Sequence, residues 1–144
     1  MRGRTAAYIA SLLLVVGTAS CVKINDYVLS EETPEGWVNV ELSNFDCPAT
    51  PGRCHREFLI PSSGYACTST GPSSGWVYKR YWLVDKTGQR KRLDIGGRVH
   101  AVSTNAELDS PTCHVIASVF WYGEREKITG DSFSAIRARK PECR

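Results

Sequence analysis

The sequence has no long hydrophobic run and almost no excess of charge. Its longest apolar stretch, Ala6 to Val16, has 11 residues, whereas a membrane-spanning helix needs about 20. Without Arg2 and Arg4, which lie in the leader segment discussed below, 16 Lys and Arg stand against 15 Asp and Glu, a net charge of +1. These two absences argue against a permanent transmembrane helix and against a nucleic-acid partner.

Motifs of the common catalytic and metal-binding sites are also missing. The chain has no G-x-S-x-G, no G-x-x-x-x-G-K-S/T and no H-E-x-x-H. Gly130 to Ser132 resembles the start of one lipase class, but no histidine follows it, and we interpret it as a turn. His55, His100 and His114 lack the paired ligand spacing of zinc sites. We therefore predict a protein that is not an enzyme, with no catalytic residue, metal or cofactor.

The first 20 residues have the three parts of a secretory signal peptide. Arg2 and Arg4 form a positive start, Ala6 to Val16 form the apolar region, and the small residues Gly17 to Ser20 precede Cys21. The pattern predicts an exported protein, located in the periplasm or on the cell surface.

The small residues that lead directly to Cys21 resemble the lipobox of bacterial lipoproteins. That resemblance implies a lipidated Cys21, a membrane partner through the lipid anchor, and residues 21–35 as a polar tether. Val22 in the following position indicates delivery to the outer membrane in a host with two membranes. The alternative is ordinary cleavage after Ala19 or Ser20, which leaves Cys21 free for a disulfide.

The other cysteines are spread along the chain, as expected in an oxidising compartment. If Cys21 carries lipid, five cysteines remain and one thiol stays free; otherwise six cysteines can close three bridges. The short loop between Cys47 and Cys54 could be closed by its own ends, and Cys67 and Cys113 could join two sheets. The candidates for disulfides are therefore Cys47, Cys54, Cys67 and Cys113, with the connectivity left open.

Residues 36–144 read as one domain of short strands separated by turns. Apolar and polar residues alternate, Gly and Pro clusters interrupt the pattern, and Asp85 to Gly88 has the composition of a hairpin turn. Both faces of the segment Cys113 to Tyr122 are largely apolar, which predicts a central strand with Trp121 in the core. We also expect a last edge strand within Asp131 to Arg139. The fold class predicted is all-β, a small antiparallel β-sandwich or barrel-like domain.

Six short motifs follow one another along the middle of the chain: Gly36 to Val40, Phe58 to Gly64, Thr68-Ser69, Gly75-Trp76, Tyr81 to Asp85 and Gly88 to Arg90. Together they resemble a family of exported bacterial domains of unknown function, often lipoproteins. The similarity covers about residues 36 to 125 and implies an envelope domain without assigned chemistry. Between Val40 and Phe58 this chain departs from the family in having a shorter segment that contains two cysteines.

Aromatic and basic residues are mixed around the predicted hairpin. The basic side chains are expected to protect an exposed strand edge, while exposed rings would suit a glycan. We predict an uncharacterised cell-envelope lipoprotein with a non-enzymatic interaction or structural role, its partner an unknown envelope protein or glycan. The alternative is a carbohydrate-binding module, favoured if three of the four tryptophans share an exposed face. The candidate ligand-binding residues are Trp76, Tyr78, Tyr81 and Trp82.

Overall fold

The computed structural model describes residues 20–144, so the predicted signal peptide lies almost entirely outside the described residues. The described chain consists mainly of strands, with one short helix near the C-terminus and single 3-10 turns at Arg125–Lys127 and Pro141–Cys143. The elements are β1 (Lys23–Ser30), β2 (Gly36–Leu42), β3 (His55–Ile60), β4 (Tyr65–Cys67), β5 (Val77–Val84), β6 (Arg90–Leu93), β7 (Val99–Ser110), β8 (Cys113–Tyr122) and α1 (Ser134–Arg139).

The strands form two four-stranded sheets, and the all-β prediction is confirmed. The first sheet has the order β3-β1-β5-β6 and the second the order β4-β2-β8-β7. Both sheets are mixed, because β1 pairs in parallel with β3 and β5, and β2 pairs in parallel with β4. The expectation of a purely antiparallel sandwich is wrong on this point. Strands β1 to β5 alternate between the two sheets, and the crossovers between them bring strands of one sheet side by side in the same direction.

The segment predicted as a tether contains a central strand. Strand β1 lies between β3 and β5, and five consecutive residues from Asn25 to Leu29 are buried. The tether prediction for residues 21–35 is therefore wrong over most of its length. Ile24, Asp26 and Val28 face one side of the strand and Tyr27 and Leu29 face the other, a period-2 pattern that marks a strand.

The main core lies between the two sheets. Tyr27 is stacked on Phe58 and Tyr81, with ring centroids 5.2 and 5.1 Å apart, and meets Phe120 of the opposite sheet edge-on at 5.6 Å. Its hydroxyl donates a hydrogen bond to the Ser118 hydroxyl oxygen across the interface, at 2.9 Å. A buried tyrosine thus joins the sheets through both its ring and its polar end.

A second core lies on the outer face of the second sheet, under the C-terminal segment. Ile136 of α1 packs in the same buried cluster as Val115, Ala117 and Val119 of β8. The last edge strand expected within Asp131 to Arg139 is replaced by α1, because this segment covers the sheet instead of extending it. Strand β8 is buried on both faces, as its sequence predicts.

The hairpin between β5 and β6 has the predicted turn. Gly88 has a positive φ of 85°, and its N–H donates to the Asp85 carbonyl at 3.0 Å. The Asp85 carboxylate accepts hydrogen bonds from the backbone N–H groups of Thr87 and Gln89. This arrangement places β6 at the edge of the first sheet, directly beside the aromatic residues of β5.

Candidate functional site

The four candidate ligand-binding aromatics do not share one surface. Trp76 is 97% exposed and Tyr78 66% exposed, whereas Tyr81 is only 1% exposed. Tyr81 is therefore excluded as a ligand-binding residue: successive side chains of a strand alternate in direction, and Tyr81 faces the core. Burial raises the pKa of its hydroxyl far above the usual value. Trp82 is half-buried and lies on the outer face of the first sheet.

Trp82 belongs to a compact group on that outer face, which we call the Asp26 cluster: Asp26, His55, Arg80 and Trp82. Arg80 donates from Nε and Nη2 to the two carboxylate oxygens of Asp26, at 2.6 and 2.7 Å. The Trp82 indole N–H donates to Asp26 Oδ1 at 2.9 Å, and His55 Nε2 lies 2.5 Å from Oδ2. Strand pairing creates the group, because Asp26 lies beside Arg80 on β5.

The cluster keeps Asp26 ionised although its side chain is only 3% exposed. Burial by itself raises the pKa of this carboxyl, but the hydrogen bonds from Arg80, Trp82 and His55, together with the Arg80 charge, outweigh burial and hold the pKa well below its usual range. Both carboxylate oxygens are occupied by these donors. Asp26 therefore acts in this geometry as a support that fixes the Trp82 ring and the Arg80 guanidinium.

Arginines extend this arrangement across the first sheet. The Arg92 guanidinium lies 5.2 Å from the centre of the Trp82 ring, within cation–π distance. Arg90 donates to both carboxylate oxygens of Glu57, at 2.6 and 3.1 Å, and this pairing lowers the Glu57 pKa. The outer face of the sheet thus presents planar side chains, and two of its arginines, Arg80 and Arg90, are paired with carboxylates.

The tryptophans do not meet the criterion set for a carbohydrate-binding face. Trp121 is 6% exposed, which confirms its predicted place in the core, and its ring meets Trp37 edge-on at 5.5 Å. Trp37 is half-buried and donates to the Thr129 carbonyl oxygen. Among the described residues only Trp76 is a fully exposed tryptophan, so three rings do not share an exposed face.

The cysteine pairing differs from both pairings considered from the sequence. Cys47 is bonded to Cys67 and Cys113 to Cys143, not Cys47 to Cys54 or Cys67 to Cys113. The loop between residues 47 and 54 runs from the second sheet to the first, which separates its two ends. Strands β4 and β8 belong to the same sheet with β2 between them, so a Cys67–Cys113 bridge could not join two sheets.

Cys21 is bonded to Cys54, with Cα atoms 5.8 Å apart. With this bond all six cysteines form bridges, which is the alternative to a free thiol considered from the sequence. No cysteine within residues 20–144 is free. One sulfur atom cannot form a disulfide and a thioether to lipid at the same time. The described structure therefore represents the alternative to the lipidation predicted at Cys21.

The sequence reasoning missed Asp26 as a site residue because it placed that residue in a tether. The alternation of Ile24, Asp26 and Val28 with Tyr27 and Leu29 could have identified the strand. Nothing in the sequence pairs Asp26 with Arg80, because 54 residues separate them.

Within residues 20–144 no helix is both long and apolar enough to cross a membrane. The same residues include no group of three or more His, Cys, Asp or Glu side chains arranged to hold a metal ion. His55 contacts Asp26, and His114 lies 3.4 Å from Asp109 at the surface.

Comparison with known proteins identifies one similar solved structure. It is a crystal structure of a protein from Bacillus anthracis described as a putative lipoprotein, with 22% sequence identity and a TM-score of 0.57. The similarity covers 76% of this chain and 75% of that chain. No protein-family model matches the sequence, and no curated protein matches it either. At this level of identity, the chain shares the fold of the Bacillus anthracis protein.

Proposed function

We propose that this protein is an exported domain of the bacterial cell envelope that acts by binding a partner, not by catalysis. The observation that carries the proposal is the pairing of all cysteines within residues 20–144 into three disulfides. Disulfides persist in oxidising compartments outside the cytosol. The signal-like segment before residue 21 and the fold shared with the Bacillus anthracis protein support the same location.

The binding surface that we propose is the outer face of the first sheet with Trp76 at its margin. Tyr78 and Trp82 follow Trp76 on β5, and Arg92 lies over the Trp82 ring. Tryptophan, tyrosine and arginine are the residues enriched at the centres of protein interfaces. The Asp26 cluster holds the Trp82 ring and the Arg80 guanidinium in place. Groups that are already fixed lose less conformational entropy on binding. We therefore favour an envelope protein as the partner.

A glycan is the second candidate partner, and one observation favours it. The Trp76 ring is 97% exposed, and exposed rings stack on sugar faces. A single ring of this kind is weaker support than the shared aromatic face expected for a carbohydrate-binding module.

The experiment compares wild-type protein with the Trp76→Ala/Tyr78→Ala double variant in crosslinking to native envelope preparations. Phe45→Ala is the matched control, because Phe45 is an exposed aromatic (89%) in the loop after β2. We expect a discrete protein crosslink that the double variant loses and the control retains. Binding to isolated envelope glycans with the same dependence would support the glycan candidate instead. Equal binding by all three proteins would contradict the proposed surface.

A lipid-anchored form is a further proposal about location. It is favoured by the lipobox-like residues before Cys21 and by the description of the Bacillus anthracis protein. Anchoring through Cys21 would leave Cys54 as one free thiol. Mass spectrometry of the N-terminal peptide from the native host, combined with thiol labelling, separates the two forms. An acylated Cys21 with one labelled cysteine identifies the anchored protein, and an unmodified Cys21 bonded to Cys54 excludes it.

A further inference from the structure

A cavity of about 270 Å3 lies between the two sheets. The first sheet contributes Asn25, Arg56 and Lys79 to its wall, and the second contributes Thr104 and Ser118. The loop between β4 and β5 completes it. No aspartate or glutamate lines this cavity, although two cationic side chains do.

Neither of these two cations forms an ion pair with any described residue. Arg56 donates from Nη1 to the Gly71 carbonyl at 3.1 Å and to the Ser73 hydroxyl at 2.9 Å. Lys79 donates from Nζ to the Thr104 hydroxyl at 3.0 Å. By contrast, the neighbouring basic residues Arg80 and Arg90 are each paired with a carboxylate. The cavity therefore contains two positive charges whose hydrogen-bond acceptors within residues 20–144 are all neutral oxygen atoms.

Partial burial reduces the hydration of both cations. Both side chains are half-buried, and burial lowers the pKa of the Lys79 ammonium. A cation removed from water without a counter-ion loses solvation energy that neutral hydrogen bonds do not fully restore. The Nε and Nη2 groups of Arg56 also make no hydrogen bond within residues 20–144, so donors remain for a ligand.

We propose that this cavity is a binding site for a small solute that carries a carboxylate or phosphate group, bound by Arg56 and Lys79. A planar guanidinium and a mobile ammonium together suit such oxyanions. Phe58 and Leu42 also line the cavity and would contact an apolar part of the solute. Its volume lies slightly below the range of sites for drug-sized ligands, about 300–1,000 Å3, so the solute is small. Trp76 lines this cavity and also stands at the margin of the partner-binding face proposed above, so the two sites adjoin.

Titration calorimetry at low ionic strength tests the proposal on the purified protein with its disulfides intact. The probes are inorganic phosphate, citrate and glucuronate, with glucose as the neutral comparison. We expect phosphate or at least one carboxylate to bind and glucose to be inert. Binding of phosphate alone would assign the site to phosphate groups, and binding of citrate or glucuronate alone to carboxylates. Absence of binding by all three anions would overturn the proposal.

Matched variants separate the cavity from general surface charge. Arg56→Gln and Lys79→Met should each weaken anion binding at least tenfold. Arg125→Gln and Lys91→Met remove the same charges from exposed positions outside the cavity and should change binding less than twofold. Unchanged binding in the cavity variants, or an equal loss in the controls, contradicts the assignment of the site.

Thermal unfolding is an independent measurement that also detects weak binding of an anion. Because Lys79 is a half-buried cation without an acidic partner, Lys79→Met should melt no lower than wild type in the absence of anion. The anion that binds should raise the melting temperature of wild type and not of Lys79→Met, since a ligand stabilises only the state that binds it. A Lys79→Met protein that melts well below wild type would show a structural role for Lys79 and overturn the proposal.

Discussion

Asp26 shows how one residue links the stability of the domain to pH. Its carboxylate is buried and receives hydrogen bonds from Arg80, Trp82 and His55, which lower its pKa. The pKa of an aspartate in an unfolded chain is about 3.9. The depressed folded-state pKa therefore contributes stability that is fully present above that value and is lost as pH falls toward the folded-state pKa.

Asp26→Asn should lower the free energy of unfolding by about 3 kcal/mol at pH 7, because it removes the charge that three donors share. The difference from wild type should shrink as the pH falls from 5 to 2. Urea unfolding at several pH values measures both effects. Glu57→Gln is the control, since the exposed Glu57–Arg90 pair should contribute less than about 1 kcal/mol. A difference that stays constant down to pH 2 would contradict this account.

Trp121 is the second residue whose role can be measured directly. It is 6% exposed and contacts Trp37, and truncation of a buried tryptophan costs about 3–5 kcal/mol. Trp121→Ala should therefore remove a third or more of the stability of an ordinary domain, about 5–15 kcal/mol, and nearly unfold one at the lower end of that range. Lys91→Ala, at an exposed position of β6, should change stability by no more than about 0.5 kcal/mol. Urea unfolding followed by far-UV circular dichroism distinguishes them, and wild-type stability of Trp121→Ala would disprove the core assignment.

Elements of this fold are positioned by side chains distant in the sequence. Helix α1 has only six residues, too few to be stable alone. The Asn39 side chain of β2 holds it by donating to the Ser132 carbonyl at 2.7 Å and accepting from the Ile136 N–H at 3.1 Å. Lys140 adds an ion pair with the buried Glu41. The C-terminal segment is thus helical because the second sheet offers it specific contacts.

Asn39→Ala should release α1 while the first sheet stays intact. The substitution leaves the buried Ile136 N–H without its acceptor, at a cost of about 1–3 kcal/mol. Hydrogen exchange of the amides in 134–139 should become at least tenfold faster, whereas β1 and β5 should be unaffected. Asn44→Ala is the control, because the Asn44 side chain accepts a hydrogen bond from the Asp46 N–H in the loop after β2, outside α1. Equal protection of α1 in wild type and Asn39→Ala would contradict this role.

At the scale of the whole molecule, three disulfides connect segments separated by 20 to 33 residues. Closing loops of this length restricts the unfolded chain and contributes about 3–4 kcal/mol for each bond in the chain-entropy description. The first bond connects the residues just before β1 and β3, the second connects the loop after β2 to β4, and the third connects the C-terminal segment to β8. The fold is therefore expected to depend on an oxidising environment.

Removal of the Cys113–Cys143 bond should lower the free energy of unfolding by about 3–4 kcal/mol. The variants are Cys143→Ala and the double variant with Cys113→Ala, which should be destabilised by similar amounts because each lacks the same bond. Denaturant unfolding under non-reducing conditions measures the effect, and full reduction should unfold the wild type at 37 °C. A reduced protein that remains folded at that temperature would contradict the prediction.

Much of the domain could be predicted from local patterns. Alternation and turn residues predicted a domain of short strands and the hairpin turn at Asp85 to Gly88, since these depend on neighbours in the sequence. Strand β8 and Trp121 were placed in the core because both faces of that segment are apolar. Strand β1 was missed because its polar residues Asn25 and Asp26 resemble those of a linker, although Tyr27 and Leu29 alternate with them.

The sequence by itself determined the class of the fold, the central place of β8, the hairpin turn at Asp85 to Gly88 and the presence of enough cysteines for three bridges. The tertiary structure alone decided how the cysteines pair, which strands run parallel and that the C-terminal segment is a helix. It also decided that Arg80 meets Asp26, whereas Arg56 and Lys79 meet no carboxylate. Periodicity reports the direction in which a side chain points relative to its own strand. Pairing between residues tens of positions apart depends on sheet order and register, which only the folded chain defines.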